Sequence, residues 1–138
     1  MINALEATIQ LMKTSGLSVD QIASKHRYGE SGAAIWQPGS SSIVIRQDGG
    51  DLNLYVEVQT IRVEVRSFAK NDYLALELAN EVYALTRSIE RVEQKVSGGM
   101  ALIYSFLPAS GQSQLFDPDL KMDFVLQFFN VQISEKSA

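Results

Sequence analysis

SIVIRQDGGDLNLYVEVQTIRVEVRSF (residues 42–68) is the stretch on which the fold of this chain turns. It holds two Val/Ile-rich runs around Asp48-Gly49-Gly50, a trio that supplies the positive-φ residues of a hairpin turn. The apolar residues of its second half change parity: Val56 and Val58 are even, Ile61, Val63 and Val65 odd. A strand has period two, so no single apolar face runs straight through residues 59–61. A β-bulge or sharp bend near Gln59-Thr60 is the expected resolution, with one inserted residue. Beyond it, Arg62, Glu64 and Arg66 share the face opposite Ile61, Val63 and Val65. Two accounts fit those charges. They form a solvated face of weak ion pairs, or a subunit interface in which alternating charges fix register between neighbours.

Downstream, Asn71 or Asp72 is placed to cap a helix. Leu74, Leu78, Val82, Leu85, Ile89 and Val92 then step by three and four, with Leu76, Ala79 and Tyr83 widening the stripe. That spacing predicts one helix over 71–93, lying across a mainly antiparallel sheet and ended by the turn Ser97-Gly98-Gly99. MALIYSFL (100–107) and KMDFVLQFFNVQI (121–133) read as two long strands. In the second, Met122, Phe124, Leu126 and Phe128 alternate cleanly, and then Phe129, Val131 and Ile133 take the other parity. Another bulge, or a strand end covered on both faces, accounts for the change.

Upstream, Ile2, Leu5, Ile9 and Met12 mark one face of a short amphipathic helix, with Gly16 as its stop. Ser18 stands three residues before Gln21, a capping-box spacing that opens a second short helix through about Arg27. Residues 29–42 are rich in turn formers but contain AAIW, a short strand, and Ile43-Val44-Ile45 forms the next one. The fold class expected is therefore α+β: a mainly antiparallel sheet covered by one long helix, with an N-terminal helix and long hairpin loops, in one domain over 1–138.

Composition narrows the function. A chain of 138 residues buries one core without staples. No cysteine is present, so neither disulfides nor thiol chemistry apply. The net charge of −4 argues against a dedicated polyanion binder. MINALEATIQLMK has no basic segment followed by an apolar one, as a signal peptide would. Residues 96–116 carry no charge, yet Gly98, Gly99, Pro108, Gly111 and the SGQSQ run rule out a spanning helix there. A soluble chain made in the cytosol, with no membrane partner, is the expectation.

The residues carry no recognisable chemistry. His26 is the single histidine, so no histidine cluster is available for a metal and no second histidine for acid–base work. No phosphate-binding, dinucleotide, nucleophile-elbow or zinc-protease motif occurs. Asp117, Asp119 and Asp123 have calcium-loop spacing, but Met122 stands where that loop requires glycine and Phe128 where it requires glutamate. Gly39-Ser40-Ser41-Ser42 is followed by a strand, so it lacks the helix N-terminus of an anion site. No catalytic, cofactor-binding or metal-binding residue is assigned, and the chain reads as a non-enzyme.

The layout resembles a family. SSIVIRQDGG, then QTIRVEVRSF, then the helix YLALELANEVYALT is similar to the tail terminator and minor capsid proteins of long-tailed bacteriophages. The shared elements here are Gly49-Gly50, the strand Val63-Glu64-Val65-Arg66-Ser67, and Ala75, Ala79 and Ala84 among the leucines. The aromatic-rich last strand FVLQFFNVQI also fits, and the resemblance spans residues 2–133. The lead-in Phe68-Ala69-Lys70-Asn71-Asp72-Tyr73 is longer than the family's usual one.

What the resemblance implies is virion assembly. Such proteins form a ring, typically of six copies, on the last ring of the tail tube at the head–tail interface. The implied partners are further copies of the chain, the tail tube protein and the head-completion protein, with DNA passing through but not held. An acidic balance suits such a channel, and a cyclic head-to-tail interface pairs sheet edges without leaving one open. A head-completion or connector protein of the same interface is the nearest alternative, and a small non-enzymatic ligand-binding module a more distant one.

The segment 108–120, thirteen residues between strands, is long for a hairpin loop. It is expected to be mobile and to order on assembly, with Leu115, Phe116 and Asp117 as the partner contact. Alternatively, Phe116 folds back as a lid over its own core.

Overall fold

The computed structural model describes residues 3–19, 21–23, 40–52 and 58–135. The first helix, α1 (Ala4–Thr14), opens where Asn3 Oδ1 accepts the Glu6 amide at 3.0 Å. Its first turn carries Glu6 and its last Lys13, both favourable to the helix dipole. Ala4, Ala7, Thr8, Ile9, Leu11 and Met12 are buried, and Thr8 satisfies its hydroxyl on the Ala4 carbonyl. Gly16, at φ +75°, ends the segment as expected. The capping box does not form. Ser18 instead gives its amide to Glu81, and Gln21–Ala23 is a short strand, β1. Arg27 and the AAIW run lie outside the described residues, as does His26.

Strands β2 (Ser42–Leu52) and β3 (Val58–Ala69) pair antiparallel, and β1 joins β2 in parallel. The chain then forms helix α2 (Asp72–Ala84), a 3-10 turn (Leu85–Arg87), and strands β4 (Glu90–Val96), β5 (Gly99–Pro108), β6 (Ser113–Asp117) and β7 (Met122–Glu135). The sheet order is β1-β2-β3-β7-β5-β4, with β6 on the N-terminal half of β7. The described fold is thus α+β with a mostly antiparallel sheet.

Both helices pack on one face. Ile61, Val63 and Val65 of β3 share that face with Phe129, Val131 and Ile133 of β7, Ile43 and Ile45 of β2, and Ala101, Ile103 and Phe106 of β5. Ala75 and Ala79 bring α2 close against Ala69 and Val125. Helix α1 touches β4 at one edge and β1 and β2 at the other.

The expected bulge near Gln59-Thr60 does not form, and the parity change stands: Val58, half-buried, lies on the face of Arg62 and Glu64. β3 carries no bulge: it pairs with β7 from Val58↔Ser134 to Ala69↔Asp123 without a shift. The irregularity lies across the ladder, in β2, between Gln47 and Gly50. Asp48-Gly49-Gly50 is consequently not the hairpin turn. Strand β2 runs on to Leu52, and the connection, with Val56, lies outside the described residues. The positive φ of Gly49 (+89°) and Gly50 (+133°) serves the bulge. The parity change of β7 needs no bulge either. Phe124 and Val125 are both buried, on opposite faces, so this end of the strand is covered on both sides, the second of the two accounts; the irregularity of the β5–β7 ladder lies at its far end, in β5 between Ile103 and Ser105.

The long helix over 71–93 is also corrected. Asn71 caps α2 as expected, accepting the Leu74 amide at 2.8 Å, but the α-helix stops at Ala84. Thr86 and Ser88 turn their hydroxyls back onto the carbonyls of Tyr83 and Leu85, the local competition that makes such residues poor helix interiors. Glu90–Val96 then pairs with β5 through the two-residue turn Ser97-Gly98, glycine at φ +84°. The apolar stripe outlasts the helix because Ile89 and Val92 face the same core, Val92 opposite Ile103. Leu74 and Tyr83, assigned to the stripe, are exposed.

Gly50 is the sharpest local requirement. A Cβ there would overlap the Thr60 carbonyl, whereas one at Gly49 meets nothing within 4 Å. Gly50→Ala should therefore cost about 3 kcal/mol and Gly49→Ala about 1 kcal/mol, the strain of left-handed backbone alone. Urea denaturation of the two variants checks the difference.

Candidate functional site

The second face of the sheet carries no helix among the described residues, and the even positions of β3 point to it. Cross-strand rows build it. Phe68 stands beside Phe124 and Leu115, and Val44 and Arg66 beside Leu126 and Ser113. Next come Arg46 and Glu64 beside Phe128, then Arg62 beside Asn130 and Leu107.

At its centre Glu64 is only 5% exposed. Arg46 Nη2 donates to Glu64 Oε2 at 2.8 Å, and Arg66 Nε donates to Oε1 at 2.5 Å. The two arginine side chains keep 64% and 38% of their surface in solvent, against 7% for the carboxylate. Each flanking guanidinium of β3 also lies over a ring: Arg62 4.2 Å from the Phe128 centroid, Arg66 5.3 Å from that of Phe124. Phe124 stacks in turn on Phe68 at 4.8 Å. Charge-assisted bonds and cation–π contacts fix the arginines in place. Three arginines gather around the one carboxylate of Glu64, and Asp51 and Asp117 take register positions on the same face, opposite Thr60 and Met122.

Residues Arg62, Glu64 and Arg66 thus lie together, as their alternation required. They do not form a simple solvated row, because Glu64 is buried and only Arg62 lacks a carboxylate partner among the described residues. Arg46 was not singled out from sequence; it becomes visible only through the β2–β3 register. Phe124 and Phe128 registered as strand alternation, with no sign that they carry guanidinium groups.

The expected mobile loop is corrected. Segment 108–120 contains β6, which pairs with β7 from Ser113↔Leu126 to Asp117↔Met122. Its lead-in is tied down: Ala109 gives its amide to the Phe128 carbonyl, Gln127 donates to the Ser110 carbonyl, and Gln112 donates to Asn80 of α2. The uncharged run had no periodic pattern, and pairing with β7 supplied the order. Asp117 is occupied locally, accepting the amides of Asp119 and Leu120 to close the β6–β7 turn. Leu115 and Phe116 point to opposite faces of β6 and are 45% and 56% exposed, so Phe116 is no lid over the core. The outer edge of β6 meets no strand among the described residues.

No group of three or more His, Cys, Asp or Glu is placed to hold a metal ion among the described residues, and no described helix is long and apolar enough to cross a membrane. No protein-family model matches the chain, and no curated protein matches it.

The Glu64 cluster is asymmetric. Arginines can swing into water when the carboxylate is gone, whereas Glu64 is held in a central strand and cannot. Glu64→Gln should cost about 1 kcal/mol, and Arg46→Ala with Arg66→Ala about 3 kcal/mol, because it strands a buried charge. Denaturant midpoints of the two variants test that order.

Proposed function

We propose that the protein is a structural assembly subunit of the tail-terminator type. Copies join in a ring on the end of a bacteriophage tail tube and present their other side to the head-completion protein. The observation that carries this reading is the sheet face on which Arg46, Glu64, Arg66 and Arg62 are locked between carboxylate and phenyl rings. Holding long charged side chains still on an exposed surface costs rotamer entropy. A fixed array of donors repays that cost when it orients a partner. Of the residues that carry the family resemblance, Glu64 and Arg66 stand on this face, and Val63, Val65, Ala75 and Ala79 pack in the layers behind it. The edge of β6 that meets no strand among the described residues, with Leu115 and Phe116 exposed on either side, adds a second adhesive element that natural sheets usually guard.

Electron microscopy of the purified protein, alone and with tail tubes, tests the reading. Rings seated on tube ends support it; binding to portal-bearing heads instead of tubes moves the protein to the head-completion role, and binding to neither removes it from this interface altogether. A reversal at Glu64 is a poor probe, since that residue is buried. Leu115→Ser with Phe116→Ser is better: it should lose about 1–2 kcal/mol of stability, below the cost of truncating a buried Phe, while abolishing assembly on tubes. With a net charge of −4, the isolated protein should also fail to retain duplex DNA in a filter-binding assay at about 0.15 M salt.

A further inference from the structure

Strand β6 has one edge on β7 and one turned outward. Ser113, Gln114, Leu115 and Phe116 are all exposed, and none of them carries a charge. The register fixes which backbone groups face out. Phe128 of β7 accepts the Ala109 amide at its carbonyl and donates its own amide to Ser110 Oγ, so its backbone points toward β5 and β6. β7 pairs with β3 without a shift from Asp123 to Phe128, so Leu126 and Phe124 point the same way, as does Met122. Their partners Ser113, Leu115 and Asp117 therefore direct N–H and C=O toward β7. Gln114 and Phe116 direct theirs outward, where no strand meets them among the described residues.

We propose that two copies of this chain pair β6 against β6, antiparallel about a two-fold axis, and so join their sheets. A row of strand-edge groups is satisfied by another extended backbone, and β6 is matched by itself in one register. With Leu115 opposite Leu115 of the second copy, Gln114 stands opposite Phe116 and Phe116 opposite Gln114. Both outward residues of each copy then form hydrogen-bonded pairs. The leucines become a non-hydrogen-bonded pair, the closer kind, and the two Phe116 rings meet across a diagonal of about 7–8 Å. Asp117 falls opposite Ser113, so no like charges are opposed, and Pro118, which has no N–H, ends the ladder. Edge strand β4, by contrast, carries Glu90, Arg91, Glu93 and Lys95, the charged pattern that resists pairing. Strands of five residues bury well under the ~1,600 Å² of a standard interface, so the dimer is weak, with Kd on the order of 0.1 mM. The pairing is isologous and closes at two copies. It concerns the free chain and does not depend on the ring reading.

Sedimentation velocity of the wild-type chain up to about 1 mM should show monomer and dimer and nothing larger. Gln114→Pro deletes one outward N–H per copy and leaves the hydrogen bonds of β6 to β7 in place. It should weaken dimerisation by about tenfold or more, with an unchanged urea midpoint at micromolar concentration. Leu115→Lys and Leu115→Glu each set like charges face to face and should weaken it by a similar factor. Mixing those two variants should restore a dimer, because the two-fold then opposes unlike charges at position 115. This pair decides the matter whatever Gln114→Pro does to folding. Wild-type chain that stays monomeric, a folded Gln114→Pro variant that dimerises like wild type, or a mixture no tighter than either Leu115 variant alone overturns the pairing.

Discussion

The unbroken antiparallel pairing of β3 with β7 is the constraint on which the rest depends. It runs from Val58↔Ser134 to Ala69↔Asp123 through the middle of the sheet, and every other strand except β4 and β1 pairs with one of the two. Because side chains alternate, this register places Ile61, Val63 and Val65 against both helices and Arg62, Glu64 and Arg66 on the reverse side. A slip of one residue would drive three charges into the core and three β-branched residues out of it. No neighbouring interaction could offset that exchange, given the cost of burying unpaired charge. The core and the polar face are therefore specified by one and the same ladder.

Local signals in the sequence were legible where local physics decides the outcome. Asn3 was not named, but the apolar spacing of α1, the stop at Gly16 and the Asn71 cap all depend on residues within a turn of one another. The strands over 100–107 and 121–133 announce themselves by length and apolar content. What was not legible depends on a partner. The parity conflict at 59–61 pointed to a bulge in β3, but the unshifted pairing with β7 keeps β3 straight and leaves Val58 on the face of Arg62; the one extra residue of the β2–β3 ladder belongs to β2. The stripe through Ile89 and Val92 could not reveal where helix gives way to strand, since both conformations turn those residues to the same core. The order of β6 comes from β7, and Arg46 reaches Glu64 only across strands.

Glu64 gives the open face its rigidity. A carboxylate in a central strand loses its hydration, and two arginines compensate it while keeping much of their own surface wet. The phenyl rings beneath Arg62 and Arg66 remove further freedom, and those rings are themselves packed on Phe68 or set in the sheet. Such a cluster adds little net stability. Its effect is on conformation: the donors are held in one arrangement before any partner arrives, so less entropy is lost on contact.

Polarity then follows from layering. With both described helices on one side of the sheet, the two broad surfaces of the molecule differ in shape, a helical layer against a pleated face on which arginines gather around Glu64. The edges differ as well. β4 exposes Glu90, Arg91, Glu93 and Lys95 along its length, the charged kind of edge that resists pairing, whereas Ser113-Gln114-Leu115-Phe116 of β6 is uncharged. A molecule with unlike faces, one charged edge strand and one uncharged one has a direction built into it.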